Sequence, residues 1–108
     1  MSLGYAWQKF FAAVQTLADG TGSLQDRLKD AFGGALIHLQ PQDLPKEHRN
    51  EFADLRARIT KETSLGDGTI AATTSVMSDE DAMQIADQIV SMYDSIAQAL
   101  GKEDAERE

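Results

Sequence analysis

Polar and apolar residues recur with helical spacing along most of the chain, most clearly between residues 78 and 100. At about 100° per residue, the apolar side chains of this stretch fall on one side of a helix. They are Ala82, Ile85, Ala86, Ile89, Tyr93, Ile96, Ala97 and Leu100, with Val90 and Met92 at the margins. This arc covers about half of the circumference, which is typical of a helix that packs on several neighbours.

The ends of this stretch carry helix start and stop signals. Ser78 is a favourable N-cap, and the acidic residues 79–81 place negative charge on the first turn, where the helix dipole favours it. Gly101 is a typical C-terminal stop. The pattern predicts a helix over 79–100 that forms the centre of the fold, with the first and second helices packed against it.

Four other segments show the same spacing and predict helices over 3–18, 24–39, 45–62 and 70–76. The last of these also suits a strand, because threonine and valine favour extended structure. We assign it as a helix, since the sequence offers no partner strand. The expectation is an all-α bundle of four main helices plus one short helix, with residues 1–101 as one domain. Residues 102–108 are expected to be a charged, disordered tail.

The first and second helices each have one unusual feature. The first carries four of the seven aromatic residues, but Lys9 is the single basic residue on its polar face, so we expect it to pack in a core rather than lie on a membrane. The second contains Gly33, Gly34 and Ile37 on the back of its later turns. Paired glycines cost about 1 kcal/mol each in a helix. Either another helix approaches closely here, in this chain or in a second copy, or the helix kinks or frays.

Charge is distributed unevenly between the two parts of the chain. Residues 1–63 hold eight basic and eight acidic side chains, whereas residues 64–108 hold two basic and ten acidic ones, which accounts for the net charge of −8. An acidic field repels phosphate backbones, so we expect no nucleic-acid partner. A solvated acidic face is the plainer interpretation, and attraction of a basic protein is the functional one.

Composition also limits the chemistry and the location of the protein. There is no cysteine, which excludes disulfides, thiolate metal sites and a cysteine nucleophile. We find no apolar run long enough to span a membrane and no signal-peptide pattern, so we expect a cytoplasmic protein.

Candidate catalytic and metal-binding residues are few. His38 and His48 are the two histidines, and no paired ligand spacing accompanies them, so we expect partly buried histidines rather than a metal site. We identify no catalytic constellation and no cofactor motif, and we lean towards a non-enzymatic protein. The alternative is a small enzyme or an anion-binding or ligand-binding protein, with a pocket between the second and third helices that uses His48, Arg49 and Arg56.

Four segments of the chain carry a resemblance to known proteins: SLQDRL at 23–28, DLPKEHRNEFADLRARIT at 43–60, GDGTIAAT at 66–73 and MSDEDAMQIADQIVSMYD at 77–94. Together they resemble a group of short, functionally uncharacterised bacterial proteins. The aromatic first helix is not part of the likeness. The resemblance implies a small bacterial helical protein and supplies no catalytic residue.

Protein–protein contact is therefore the function that we expect. Self-association would use Gly33, Gly34 and Ile37, or surplus apolar surface on the first helix. A basic partner would bind Glu80, Asp87 and Asp94, which recur every seven residues with no lysine or arginine on the predicted helix.

Overall fold

The computed structural model describes residues 3–62 and 68–106 of the chain, and these fold as helices without a strand among them. Five α-helices form the fold, which confirms the all-α prediction. They are α1 (Leu3–Asp19), α2 (Leu24–Gly34), α3 (Arg49–Ile59), α4 (Thr69–Ser75) and α5 (Asp79–Glu106). Short 3₁₀ turns at Leu36–His38, Pro41–Asp43 and Lys46–His48 connect α2 to α3.

The core lies where α1, α2 and α5 meet, as the width of the apolar arc on the last helix predicts. α5 buries Ala82, Ile85, Ile89, Met92 and Ile96. α1 buries Leu3, Ala6, Phe10, Ala13 and Leu17 against it. Met92, placed at the margin of the arc by the sequence, is therefore a core residue, whereas Val90 at the other margin is 46% exposed.

Serine side chains cap α2 and α5, and the cap of α5 is the one that the sequence analysis predicts. Ser23 Oγ accepts a hydrogen bond from the backbone N–H of Asp26 at 3.1 Å. Ser78 Oγ accepts the equivalent bond from Asp81 at 3.1 Å. Each cap satisfies one of the N–H groups that the first turn of a helix leaves without a partner.

The second helix is shorter than the predicted 24–39. It ends at Gly34, and Ala35 leaves α-helical geometry with φ −131° and ψ −63°. A 3₁₀ turn at Leu36–His38 follows. Two glycines of low helix propensity lie at this end of the helix. The prediction of a continuous helix over 24–39 was therefore wrong, and its alternative, a kink or fraying at Gly33 and Gly34, agrees better with the structure.

The third helix begins later and ends earlier than the predicted 45–62. Pro45 has an extended ψ of 145°, and the 3₁₀ turn Lys46–His48 separates it from α3. The extended ψ keeps Pro45 outside the helix, at the N-cap position of that 3₁₀ turn. α3 has a narrow apolar stripe, because Phe52, Leu55 and Ile59 are its buried residues.

The last helix is longer than the predicted 79–100. α5 passes through Gly101 and continues to Glu106. Gly101 does not have the positive φ of a C-terminal glycine cap, and the following Lys102, Glu103 and Ala105 are good helix formers. Residues 102–106 are thus helical rather than disordered, and residues 107–108 lie outside the described part. The extension also places Lys102 on the same helix as the acidic residues.

The short segment before α5 is helical, over Thr69–Ser75 rather than 70–76. The hydroxyl groups of Thr73 and Thr74 donate to carbonyls inside the helix, which is an arrangement that a strand would not allow. Thr73 Oγ1 donates to the carbonyl of Thr69 at 2.6 Å and accepts from the N–H of Glu62 at 3.0 Å. Thr73 therefore joins α4 to the segment that follows α3.

Candidate functional site: an acidic-edged groove between α1 and α5

A shallow groove of about 560 Å³ runs between the end of α1, the start of α2 and the first half of α5. Its lining is mainly apolar. The lining residues are Leu17, Leu24, Glu80, Met83, Gln84, Ala86, Asp87 and Val90. Its volume is within the range of small-ligand pockets, but its open shape is that of a docking surface.

Two apolar side chains of α5 stand exposed beside this groove. Met83 is 63% exposed and Val90 is 46% exposed. They lie seven residues apart, so the helix places them on one face with Ala86 between them. Leu17 and Leu24 are more buried and form the floor. The groove therefore combines an apolar floor with two exposed apolar side chains.

The outer edge of the groove is acidic. Glu80 and Asp87 are exposed and alternate with Met83 and Val90 along α5, at successive spacings of three and four residues. Within residues 3–62 and 68–106, neither carboxylate has a hydrogen bond or an ion pair. Asp94 continues the stripe one heptad further and accepts a hydrogen bond from Gln98 Nε2 at 2.9 Å. The structure thus brings Glu80 and Asp87 to the groove and places Asp94 beyond the lining residues.

An aromatic cluster lies further along the contact between α1 and α5. The rings of Trp7 and Phe11 stack with centroids 5.3 Å apart. The ring of Tyr93 lies 6.3 Å from each of them. Phe11 remains 42% exposed, so apolar surface continues from Val90 towards this cluster. Because Leu17 faces the earlier residues of α5 and Phe11 faces Tyr93, the two helices are antiparallel.

Hydrogen bonds from α2 hold the two helices that form the groove. Arg27 Nη1 donates to the carbonyl of Leu17 at 2.8 Å, which caps the end of α1. Gln25 Nε2 donates to the carbonyl of Met77 at 3.1 Å and to Asp79 Oδ1 at 2.8 Å, just before and at the start of α5. The start of α2 therefore fixes the position of both groove walls.

The three residues of the alternative ligand pocket are engaged elsewhere in the fold. Arg49 Nε donates to the carbonyl of Leu44 at 3.0 Å, and His48 Nδ1 lies 3.5 Å from Glu51 Oε1. Arg56 donates to the carbonyls of Ile37 and Leu39.

The guanidinium of Arg56 also lies over the ring of Phe52, 5.3 Å from its centroid. These contacts give the two arginines a structural role in the α2–α3 connection. None of the three residues lines the groove, and a pocket built from them stays a prediction.

The residues predicted for self-association lie at the end of α2. Gly33 and Gly34 are exposed, and a Cβ atom added at either position would meet no atom within 4 Å. No helix of the described chain therefore approaches these glycines closely. Ile37 is half-buried and packs against the core. Close approach by a second copy stays a prediction.

The described residues show neither a metal-binding cluster nor a membrane-spanning helix. No group of three or more His, Asp or Glu side chains within 3–62 and 68–106 is placed to hold a metal ion. No helix in this part of the chain combines the length and the apolar character needed to cross a membrane.

The apolar part of the groove is what sequence reasoning missed. Met83 is named neither among the apolar residues of the predicted helix nor among its acidic ones. A signal was present, since Met83 and Val90 share the seven-residue spacing of Glu80 and Asp87.

No known protein family matches the chain, and comparison with curated proteins and with solved structures also finds no match.

Proposed function

We propose that the chain is a non-enzymatic protein-binding module that acts through the groove between α1 and α5. The observation that carries this proposal is that exposed Met83 and Val90 lie beside the carboxylates of Glu80 and Asp87, which have no partner within residues 3–62 and 68–106. Apolar area supplies affinity when a partner covers it, and fixed charge selects which partner approaches.

The arrangement does not resemble a catalytic site in its chemistry. The charged groups along the groove are carboxylates of residues exposed on an open helix face. Partner binding uses both the apolar floor and this charged edge.

Selection from a displayed library of random peptides tests the proposal, because it samples many partner sequences at once. The full chain is immobilised, and selection is repeated with Met83→Ser/Val90→Ser and with Asp87→Lys/Asp94→Lys. We expect sequences that are enriched on the unchanged chain and lost on both variants. Enrichment that is the same on all three proteins, or no enrichment, would contradict binding at the groove.

Matched control variants separate local from general effects. Asp30→Lys/Asp54→Lys changes net charge by the same amount at exposed positions on α2 and α3, away from the groove. Val76→Ser removes a 68% exposed apolar side chain outside the groove. Both controls should retain the enriched sequences.

Self-association is a second candidate, supported by the exposed glycines at the end of α2. Small residues allow close approach between helices, and a second copy would present the same surface. Sedimentation of the chain should then show a dimer that Ile37→Glu abolishes and Val76→Glu leaves intact. A monomer, or a dimer indifferent to Ile37→Glu, would count against this surface.

The location belongs to the same proposal. We place the protein in the bacterial cytoplasm, a reducing compartment that a chain without cysteine suits.

A further inference from the structure

We infer that the occupant of the groove is an amphipathic helix of a second protein, with lysine or arginine beside its apolar stripe. This inference rests on the proposed function and specifies the partner. Three features support it: the shape of the groove, the negative charge along its edge, and the contacts that the arginines of α3 make within this chain.

The shape fits a helix. Two antiparallel helices form the walls, and the apolar positions of α5 run from Met83 through Val90 to Tyr93. Ten residues of helix span about 15 Å, or nearly three turns. A helix laid along this line would present apolar residues at spacings of three and four, which is how amphipathic helices fill helix-lined grooves. A partner strand has no sheet edge to join among residues 3–62 and 68–106.

The charge fits a basic flank. Glu80 and Asp87 follow the groove at a seven-residue spacing, so they face one side of an occupant along its length. Long lysine or arginine side chains reach such carboxylates while their alkyl stems cover apolar atoms beneath, here those of Met83 and Val90. An acidic helix would place like charges together without a compensating partner.

A second copy of this chain fits the groove poorly. Symmetric pairing through this face brings the acidic stripe of each copy towards the other. The basic helix α3 buries its own apolar stripe of Phe52, Leu55 and Ile59, so it does not offer apolar and basic surface together. Two of its arginines are also bonded to backbone carbonyls within the chain.

Three synthetic peptides of about 18 residues, long enough to form a helix, test the inference. One has leucines at helical spacing and lysines elsewhere, the second is a scrambled version of it, and the third has every lysine replaced by glutamate. Each is titrated into the full, ¹⁵N-labelled chain while backbone amide shifts are recorded. We expect only the first peptide to shift the amide signals of Met83, Asp87 and Val90. In Asp87→Lys/Asp94→Lys, the same peptide should no longer shift the amide signals of these positions.

Several results would overturn the inference. One is that the lysine peptide leaves the amide signals of Met83, Asp87 and Val90 unshifted. Another is that the scrambled or the glutamate peptide shifts these signals as much as the lysine peptide does. A third is that the lysine peptide shifts them equally in Asp87→Lys/Asp94→Lys. A dimer of the unliganded chain that Met83→Ser/Val90→Ser dissociates would show that the occupant is a second copy. Amide dispersion of each variant before titration verifies its fold.

Failure of the inference is distinguishable from failure of the proposed function. If the displayed library yields groove-dependent sequences that are acidic or cannot form an amphipathic helix, the function stands and the inference falls. If no displayed sequence depends on the groove, the proposed function itself falls.

Discussion

Arg27 holds the end of α1 by donating from Nη1 to the carbonyl of Leu17 at 2.8 Å. Leu17 is also a floor residue of the groove, so this bond links the packing of α2 to the proposed binding surface. The aliphatic part of Arg27 lies close to Gly20, where an added Cβ would come within 3.0 Å of its Cγ. The groove floor therefore depends on a cap supplied from outside α1.

Replacing Arg27 should destabilise the fold. Arg27→Met removes the donor, and we expect the free energy of unfolding to fall by about 1 kcal/mol, because a charged donor contributes more than a neutral one but this side chain is partly solvated. Urea denaturation measures the change. Lys29→Met removes the same charge at an exposed position of α2 and should change stability by less than about 0.5 kcal/mol. Equal effects would contradict the capping role.

Two glycines should respond in opposite directions to alanine. At Gly20 a Cβ would lie 2.6 Å from the carbonyl oxygen of Thr16, so Gly20→Ala should cost about 2 kcal/mol through a forced backbone shift. At Gly33, inside α2, a Cβ would meet nothing within 4 Å, and Gly33→Ala should stabilise by about 0.5–1 kcal/mol. Thermal unfolding of both variants under one set of conditions shows whether each substitution raises or lowers the stability. A stabilising Gly20→Ala would be inconsistent with the described packing.

Arg56 should be more important for stability than for ligand binding. Arg56→Met removes the donor to the Ile37 and Leu39 carbonyls and the contact with Phe52, and we expect a loss of about 2 kcal/mol. Arg56→Lys should recover about half of it, since an ammonium group lacks the planar fork of donors. Lys61→Met, on an exposed neighbour, is the charge-matched control in denaturant titration. Wild-type stability in Arg56→Met would refute the structural role.

Two adjacent buried threonines offer a matched pair. The hydroxyl of Thr73 donates within α4 and also accepts from the Glu62 N–H, so Thr73→Val should cost about 1–2 kcal/mol by leaving that N–H without this partner. The Thr74 hydroxyl donates to the Ile70 carbonyl at 3.0 Å, and Thr74→Val should cost less than about 1 kcal/mol. Urea titrations of the two variants measure the loss of unfolding free energy in each. The reverse order would mean that Thr73 does not hold α4 to the segment that follows α3.

Local physics explains which parts of the fold were predictable. Periodicity identified every α-helix, because each helix buries one face and leaves the other in water. The Ser23 and Ser78 caps were predictable because the side chain and its N–H partner lie three residues apart.

Helix ends were less predictable, since they depend on small differences in free energy between continuing the helix and leaving it. Gly101 signals a stop, yet the residues after it favour helix and α5 continues through it. The glycine pair at 33–34 has the same propensity, but there the helix ends. Leu36 and Leu39, just after this helix end, are both fully buried in the core.

The candidate site was predictable in its charge and not in its shape. Glu80, Asp87 and Asp94 follow from the spacing on one helix. The floor of the groove requires residues of three helices to meet, and no local pattern states that Leu17 and Leu24 lie beside Met83. For the same reason, Arg49 and Arg56 looked available for a ligand, although their partners are backbone carbonyls that sequence spacing does not reveal.

Reversal of charge preference at the groove tests the central claim most directly. Fluorescence anisotropy gives the dissociation constants of labelled lysine and glutamate peptides for the chain and for Asp87→Lys/Asp94→Lys. We predict that the unchanged chain binds the lysine peptide at least about tenfold more tightly, equivalent to about 1.4 kcal/mol, and that the variant prefers the glutamate peptide. Asp30→Lys/Asp54→Lys should keep the original preference. A preference that is the same in all three proteins, or that reverses equally in the control, would contradict the account.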